Sequence, residues 1–432
     1  MSLRVALVSL HTSPLEQPGF GDAGGMNVFV VGLADALHAA GVEVEVLTRE
    51  TGASDETTDA RTPGGAPVRF LRAGPRASVP KNGLLEHVGE FAHSMAELPR
   101  FDVVHSNYWL SGLAGLQAAE RWGVPHVLSL HTVAALKNAR LAAGDAPESS
   151  ERIDAERMLT RASALVLAHT RAESESVVEA YGVPRDRVAV VPPGVDTALF
   201  HPAGDLRPLT ASGLDVAPHS GGAAASAAPY ALVLARIQPL KGVDLALEAV
   251  AAVPEQRRPH LVIAGGTSPG HDDYAASLRR RAAEPDLAGR VEFLPAQPRE
   301  SAAELLRGAA VLLVPSHSET FGMVALEAAA SGTPVLAFRT SGLRESVAEG
   351  VSGLLLDSRD PAAWGQALGS LLGDPDRLAA LRDSALRHGR SRSWAVTADE
   401  VLMHYRAVIA RAANDSGSPR HDPTHPNERP IP

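Results

Sequence analysis

Short apolar runs separated by helix-length segments recur along this chain, and this alternation constrains its fold more than any other feature. Val5 to Leu10 is one such run, followed by a glycine-rich loop and a stretch placing Phe29, Leu33, Leu37 and Ala40 on one helical face before Gly41. Further runs stand at Val44–Leu47, Val103–Val104, Val127–Leu130, Leu165–Ala168 and Val188–Val191. Strands that are apolar throughout and spaced by helices belong to mostly parallel sheets covered on both faces. The rhythm pauses at Val191-Pro192-Pro193-Gly194, where two prolines and a glycine can continue neither strand nor helix. It resumes at Ala231–Leu234, Leu261–Ala264, Val291–Leu294, Val311–Val314, Val335–Phe338 and Leu354–Leu356. The expectation is an α/β chain of two doubly wound domains, 1–200 and 230–392. A linker over 201–229 joins them, a helix near 393–412 returns to complete the first domain, and a proline-rich tail over 413–432 is disordered.

The 432 residues suffice for two such cores, with 45% hydrophobic and 21% charged residues. Fifty acidic against 40 basic residues give a formal charge of −10, which disfavours broad attraction to nucleic acid. The absence of cysteine excludes disulfide frameworks, zinc–thiolate sites and thiol nucleophiles. No run reaches the length of about 18 apolar residues expected of a membrane span, and Met1 to Leu10 lacks the pattern of a signal peptide. A cytoplasmic location is expected, with small molecules as partners.

Four constellations could carry chemistry. His11 to Asn27 contains four glycines between the first strand and the first helix, where backbone N–H groups converge on an anion; a plain connector is the alternative. Tyr108 and Trp109, and then His131 and Thr132, follow strands and so stand where open α/β sheets bind ligands. Arg236 and Lys241 deliver two cations into one turn, suited to a pyrophosphate whose charge grows as it departs. Glu319 and Glu327, eight residues apart around a helix start, can face one ligand, and a ribose diol would satisfy a carboxylate set among Ala, Leu and Val. Solvated charges and a helix cap are the bland readings of the last two.

Together these residues resemble the retaining glycosyltransferases of GT-B type, built from two facing Rossmann-like domains. Glu319 and Glu327 with Arg236 and Lys241 are similar to that superfamily's donor site. The segments His11-Thr12-Ser13-Pro14-Leu15, Gln17-Pro18-Gly19, Gly24-Gly25-Met26-Asn27, Tyr108-Trp109-Leu110-Ser111-Gly112 and Lys137-Asn138 resemble the mycothiol-pathway D-inositol 3-phosphate glycosyltransferases of actinobacteria. That resemblance implies UDP-N-acetylglucosamine (UDP-GlcNAc) as donor and 1D-myo-inositol 3-phosphate as acceptor. It assigns the donor to Gln17, Pro18, Gly25, Arg236, Lys241, Gln297, Glu319 and Glu327. The acceptor falls to His11, Asp22, Ala23, Gly24, Gly25, Met26, Asn27, Lys81, Tyr108, Thr132 and Arg152. Of these residues, Arg236, Lys241 and Glu319, with His131, are catalytic. A magnesium ion (Mg2+) near Leu306, Arg307, Ala309 and Thr333 is implied too, and a homodimer is compatible. The sequence departs from the family around Lys81, at Asn107 and at Thr320. A relative using a GDP-sugar and a small thiol is therefore one alternative, and a non-catalytic nucleotide-sugar binding module is another.

Overall fold

The computed structural model describes residues 2–19, 23–52, 60–139, 147–202, 230–340 and 342–417. Most of the expected linker and the tail beyond 417 lie outside them.

Seven parallel strands form the first sheet: β1 (Arg4–Ser9), β2 (Glu43–Arg49), β3 (Val68–Leu71), β4 (Val103–Asn107), β5 (His126–Ser129), β6 (Leu165–Ala168) and β7 (Val188–Val190), in the order 3-2-1-4-5-6-7. Six parallel strands form the second: β8 (Tyr230–Leu234), β9 (His260–Ala264), β10 (Val291–Leu294), β11 (Val311–Val314), β12 (Val335–Phe338) and β13 (Gly353–Leu356), in the order 10-9-8-11-12-13. In each sheet the order reverses beside the first strand, between β1 and β4 and between β8 and β11. At such a switch point the flanking loops diverge and open a crevice beyond the carboxyl ends of the strands.

The central strands are apolar because helices cover both faces: Val5, Ala6, Leu7 and Val8 are inaccessible to solvent. Each sheet thus separates two apolar clusters. The final helix, Trp394–Gly417, packs on the first sheet and not on the second. Its Trp394, Val401, Leu402 and Tyr405 join Val5, Leu7, Phe29 and Leu33 in one cluster. Gly32 makes this crossing possible, since a Cβ there would fall 2.1 Å from the Trp394 ring. Residues 413–417, expected in the tail, continue this helix. Among the described residues no helix is long and apolar enough to cross a membrane.

The buried first sheet also holds imidazoles with both ring nitrogens engaged. Ser129 Oγ donates to the Leu167 carbonyl and accepts from His105 Nε2, while Tyr405 donates to His105 Nδ1 at 2.7 Å. His126 lies between Ser163 and Ser106. Burial pushes His105 and His126 down to about 3 and His169 to about 4. These three stay neutral in the fold and take up protons only on unfolding below pH 6.5. Stability is therefore lost as pH falls through 6.5, by up to about 1.4 kcal/mol per pH unit for each histidine. Glu173 acts oppositely: burial raises it to about 7, so the fold holds one extra proton between there and 4.5. With His11 and His131 lowered in the same way and Glu156 raised like Glu173, five histidines against two carboxyls leave a net loss on acidification. Urea midpoints measured at pH 7.5, 6.0 and 5.0 should decline in that order; a flat series would contradict it.

Candidate functional site

A cleft of about 520 Å³ opens between the carboxyl ends of the two sheets and draws its walls from both domains. On the second-domain wall, β8 runs into a turn, Pro239–Lys241, that carries the Lys241 ammonium. Gly242 ends this turn at φ 63°, and a Cβ there would meet the Pro315 carbonyl at 2.3 Å. The backbone can thus pass close beneath the loop after β11, which bears Ser316 and Glu319. Lys241 Nζ lies 2.6 Å from Glu319 Oε1, which also accepts from Ser316 Oγ at 2.8 Å. Arg236 borders the same space.

The helix carrying Glu327 begins only at Met323, after Gly322 at φ 86°. The eight-residue spacing therefore crosses a turn and does not follow one continuous helix. Both carboxylates still line the cleft. Glu327 is not solvated: its Oε1 stands 3.2 Å from Arg299 Nη1, whose guanidinium lies over the Phe200 ring. Sequence reasoning missed Arg299, because a basic residue opening a helix reads as a solvated one.

The first-domain wall is built at the ends of β1, β4 and β5. Tyr108 and His131 both adopt left-handed backbone, φ 78° and 61°, which is unusual outside glycine. Tyr108 stacks against His11 with ring centroids 4.4 Å apart, and the Lys81 and Arg152 cations sit 5.5 and 4.7 Å from its ring centre. Burial pushes His11 down to about 3, helped by Lys81 and Arg152, so it is neutral. His11 Nδ1 and the Tyr108 hydroxyl are buried without a hydrogen-bond partner among the described residues. Such atoms suit a hydroxyl-rich ligand. Arg152 Nη2 donates to the Thr132 hydroxyl at 2.8 Å, which gathers Lys81, Tyr108, Thr132 and Arg152 into one pocket.

His131 is held on both sides. Asn107 Nδ2 points at the Val8 carbonyl, its Oδ1 lies 2.9 Å from His131 Nε2, and His131 Nδ1 lies 3.1 Å from His169 Nε2. Burial, reinforced by His169, holds it well below the ordinary histidine range. The ring is thus neutral, with both nitrogens engaged. Thr320 Oγ1 crosses the cleft to donate to the His131 carbonyl at 2.6 Å. A second bridge runs from Glu345, which accepts from the backbone N–H groups of Arg171 and Ala172 at the start of the helix Arg171–Tyr181.

Of the remaining expected residues, Pro18, Gly24, Gly25, Met26 and Gln297 line the cleft. Gln17 and Ala23 do not border it, and Asp22 lies outside the described residues. Asn27 is buried, and its amide is spent on the loop: it donates to Thr12 Oγ1 and the Ser13 carbonyl and accepts from the Gly24 N–H. Its part is to hold the glycine-rich loop in shape.

The residues of the magnesium set do not border the cleft. Leu306 and Arg307 close the helix Arg299–Gly308, while Ala309 and Thr333 precede β11 and β12. They thus stand at the amino-terminal edge of the sheet, away from the cleft. The Leu306 carbonyl accepts from Thr333 Oγ1, and the Ala309 carbonyl accepts from Arg382 at 3.1 Å. Arg307 donates to the Leu199 carbonyl at 3.0 Å. A guanidinium on one proposed ligand and another beside it oppose a dication. Among the described residues, no group of three or more His, Cys, Asp or Glu side chains could hold a metal. These residues do not fit magnesium, and no step below involves it.

Residues 23–199 match the family described as Glycosyltransferase Family 4, and residues 221–388 the family described as Glycosyl transferases group 1. A D-inositol 3-phosphate glycosyltransferase of Acidothermus cellulolyticus is 42% identical, covering 94% of this chain and 91% of its own length. One from Stackebrandtia nassauensis is 43% identical over 97% of this chain and 94% of its own. Among solved structures, sucrose-phosphate synthase from Thermosynechococcus elongatus matches with a TM-score of 0.81 at 28% identity, covering 95% of this chain and all of that one. HepE of Anabaena, in complex with UDP and glucose, gives 0.74 at 19% identity over 94% of this chain and all of its own, a likeness of fold alone. With two Rossmann-like domains facing one cleft and relatives of this identity along nearly its whole length, the chain is a GT-B glycosyltransferase and belongs to the family of the D-inositol 3-phosphate glycosyltransferases.

Proposed function

We propose that this enzyme transfers N-acetylglucosamine from UDP-N-acetylglucosamine to 1D-myo-inositol 3-phosphate in the cytoplasm, with retention of configuration at the sugar. The observation that carries this reading is the division of labour across the cleft. One wall pairs cations with carboxylates, Lys241 with Glu319 and Arg299 with Glu327, as a diphosphate and a sugar diol require. The other brings Lys81 and Arg152 onto the Tyr108 ring beside two unpartnered polar atoms, a combination suited to a polyol carrying a phosphate.

In this mechanism Arg236 and Lys241 stabilise charge developing on the departing diphosphate. Glu319 aligns the sugar hydroxyls and Glu327 accepts from the ribose, displacing Arg299. The acceptor hydroxyl attacks on the face the diphosphate leaves and gives its proton to a diphosphate oxygen. His131 takes no proton, in keeping with its engaged nitrogens. A screen by mass spectrometry should pair UDP- and GDP-sugars with inositol 3-phosphate, inositol and a small thiol. The expected product is N-acetylglucosaminyl inositol phosphate, formed only from UDP-GlcNAc and the phosphorylated acceptor. Product from a GDP-sugar and the thiol, with none from inositol phosphate, would overturn the assignment.

A further inference from the structure

The pocket around Tyr108 contains two side chains that the reading above leaves without a role, Lys137 and Glu148. Both line the cleft. Glu148 stands just before Ser149, the cap of the helix Ser150–Ala162, and its backbone is fixed by a reciprocal pair with Asn138. Glu148 N donates to Asn138 Oδ1 at 2.7 Å, and Asn138 Nδ2 donates to the Glu148 carbonyl at 3.0 Å. The carboxylate itself bridges two cations, with Oε1 2.7 Å from Lys137 Nζ and Oε2 2.9 Å from Arg152 Nη1.

Arg152 already has a dedicated partner. Its Nε lies 2.7 Å from Glu156 Oε1, and Glu156 is inaccessible to solvent, its other oxygen accepting from the Ala134 N–H and the Tyr181 hydroxyl. A single guanidinium does not require two carboxylates, and only Glu148 faces the cleft. Burial works against ionisation of Glu148, but Arg152, Lys137 and Lys81 outweigh it and hold its carboxyl below the ordinary range. An anion with two oxygens therefore already joins the cations that would meet an acceptor phosphate.

We propose that Glu148 is a built-in counter-ion of the acceptor-phosphate pocket, standing between Lys137 and Arg152 where phosphate oxygens bind, and that Lys137 is a further phosphate-binding residue. This rests on the phosphorylated-acceptor reading above. Lys81, Lys137 and Arg152 against Glu148 and Glu156 leave a net charge of +1, and displacement of Glu148 toward solvent leaves +2 for an incoming dianion. A neutral polyol has no charge with which to compete for the two cations. The pocket is thereby kept closed to unphosphorylated acceptors and organised in their absence.

The test is calorimetric binding of inorganic phosphate to the full-length protein, together with acceptor kinetics. Glu148→Gln keeps the backbone pair with Asn138 and removes the competing charge; it should bind phosphate about tenfold more tightly than wild type. Lys137→Gln should bind it about tenfold more weakly and raise acceptor KM more than it lowers kcat, with donor KM unmoved. Lys137→Arg should recover most of that loss. Unchanged or weaker phosphate binding by Glu148→Gln, in a wild-type background that does use the phosphorylated acceptor, would make Glu148 a mere support for Arg152 and overturn the proposal alone. If no variant binds phosphate and transfer proceeds to an unphosphorylated acceptor, the acceptor reading itself fails and the counter-ion role falls with it.

Discussion

With donor saturating, Lys241→Ala is expected to turn over about 10²- to 10³-fold more slowly than wild type while remaining folded. The ammonium lies in a short turn stabilised by its own backbone and contributes nothing to either apolar core. Its removal should therefore spare the fold. The kinetic loss has two sources. The departing diphosphate loses a point charge that matters more as its negative charge grows. Glu319, largely shielded from solvent, loses the cation 2.6 Å from its carboxylate, which weakens its alignment toward the sugar. Lysine to arginine should not rescue turnover, because a planar fork cannot occupy the place of a compact ammonium held against Glu319. Release of nucleoside diphosphate measured at saturating acceptor separates kcat from KM. A raised donor KM with unchanged kcat would mean that Lys241 binds ground state and transition state alike. In a double-mutant cycle, Lys241→Ala with Glu319→Gln should cost clearly less than the two single losses added, since the residues act as a pair.

How far the sequence disclosed this arrangement depended on whether each signal was local. Buried parallel strands are apolar throughout, so runs such as Leu165–Ala168 and Val311–Val314 were legible to the residue. β3 was not: at the sheet edge only Val68 and Leu71 are buried, with Arg69 exposed and Phe70 half-buried between them, and four such residues do not stand out from a loop. The cation–carboxylate pair of Lys241 and Glu319 could be anticipated because both sit at strand ends that the topology brings to one switch point. Arg299 and Glu148 could not. Each acquires meaning only from the side chains that the fold sets beside it, Glu327 in one case and Lys137 with Arg152 in the other. Asn27 shows the converse, since a polar residue in a ligand loop proved to be spent on the loop's own backbone.

Arg152 joins fold to function most tightly, and its loss should register in both. Arg152→Met is expected to destabilise the protein by about 3–5 kcal/mol, because it leaves the wholly buried Glu156 carboxylate without its cation. The same change abolishes use of a phosphorylated acceptor. The two effects can be separated. Glu156 keeps two donors, the Ala134 N–H and the Tyr181 hydroxyl, when Arg152 is gone. A glutamine there can still accept from both without burying a charge. The double variant Arg152→Met, Glu156→Gln should therefore regain most of the lost stability in chemical denaturation while remaining unable to use the acceptor. If stability is not regained, the loss comes instead from the Arg152 bonds to Thr132, which tie the helix Ser150–Ala162 to the loop after β5. If the double variant recovers acceptor use, Arg152 does not bind the acceptor at all. A buried ion pair adds little net stability over a well-packed neutral pair, so the reason to place one here is orientation: Glu156 fixes the guanidinium from behind, leaving Nη1 and Nη2 aimed at Glu148, Thr132 and the cleft.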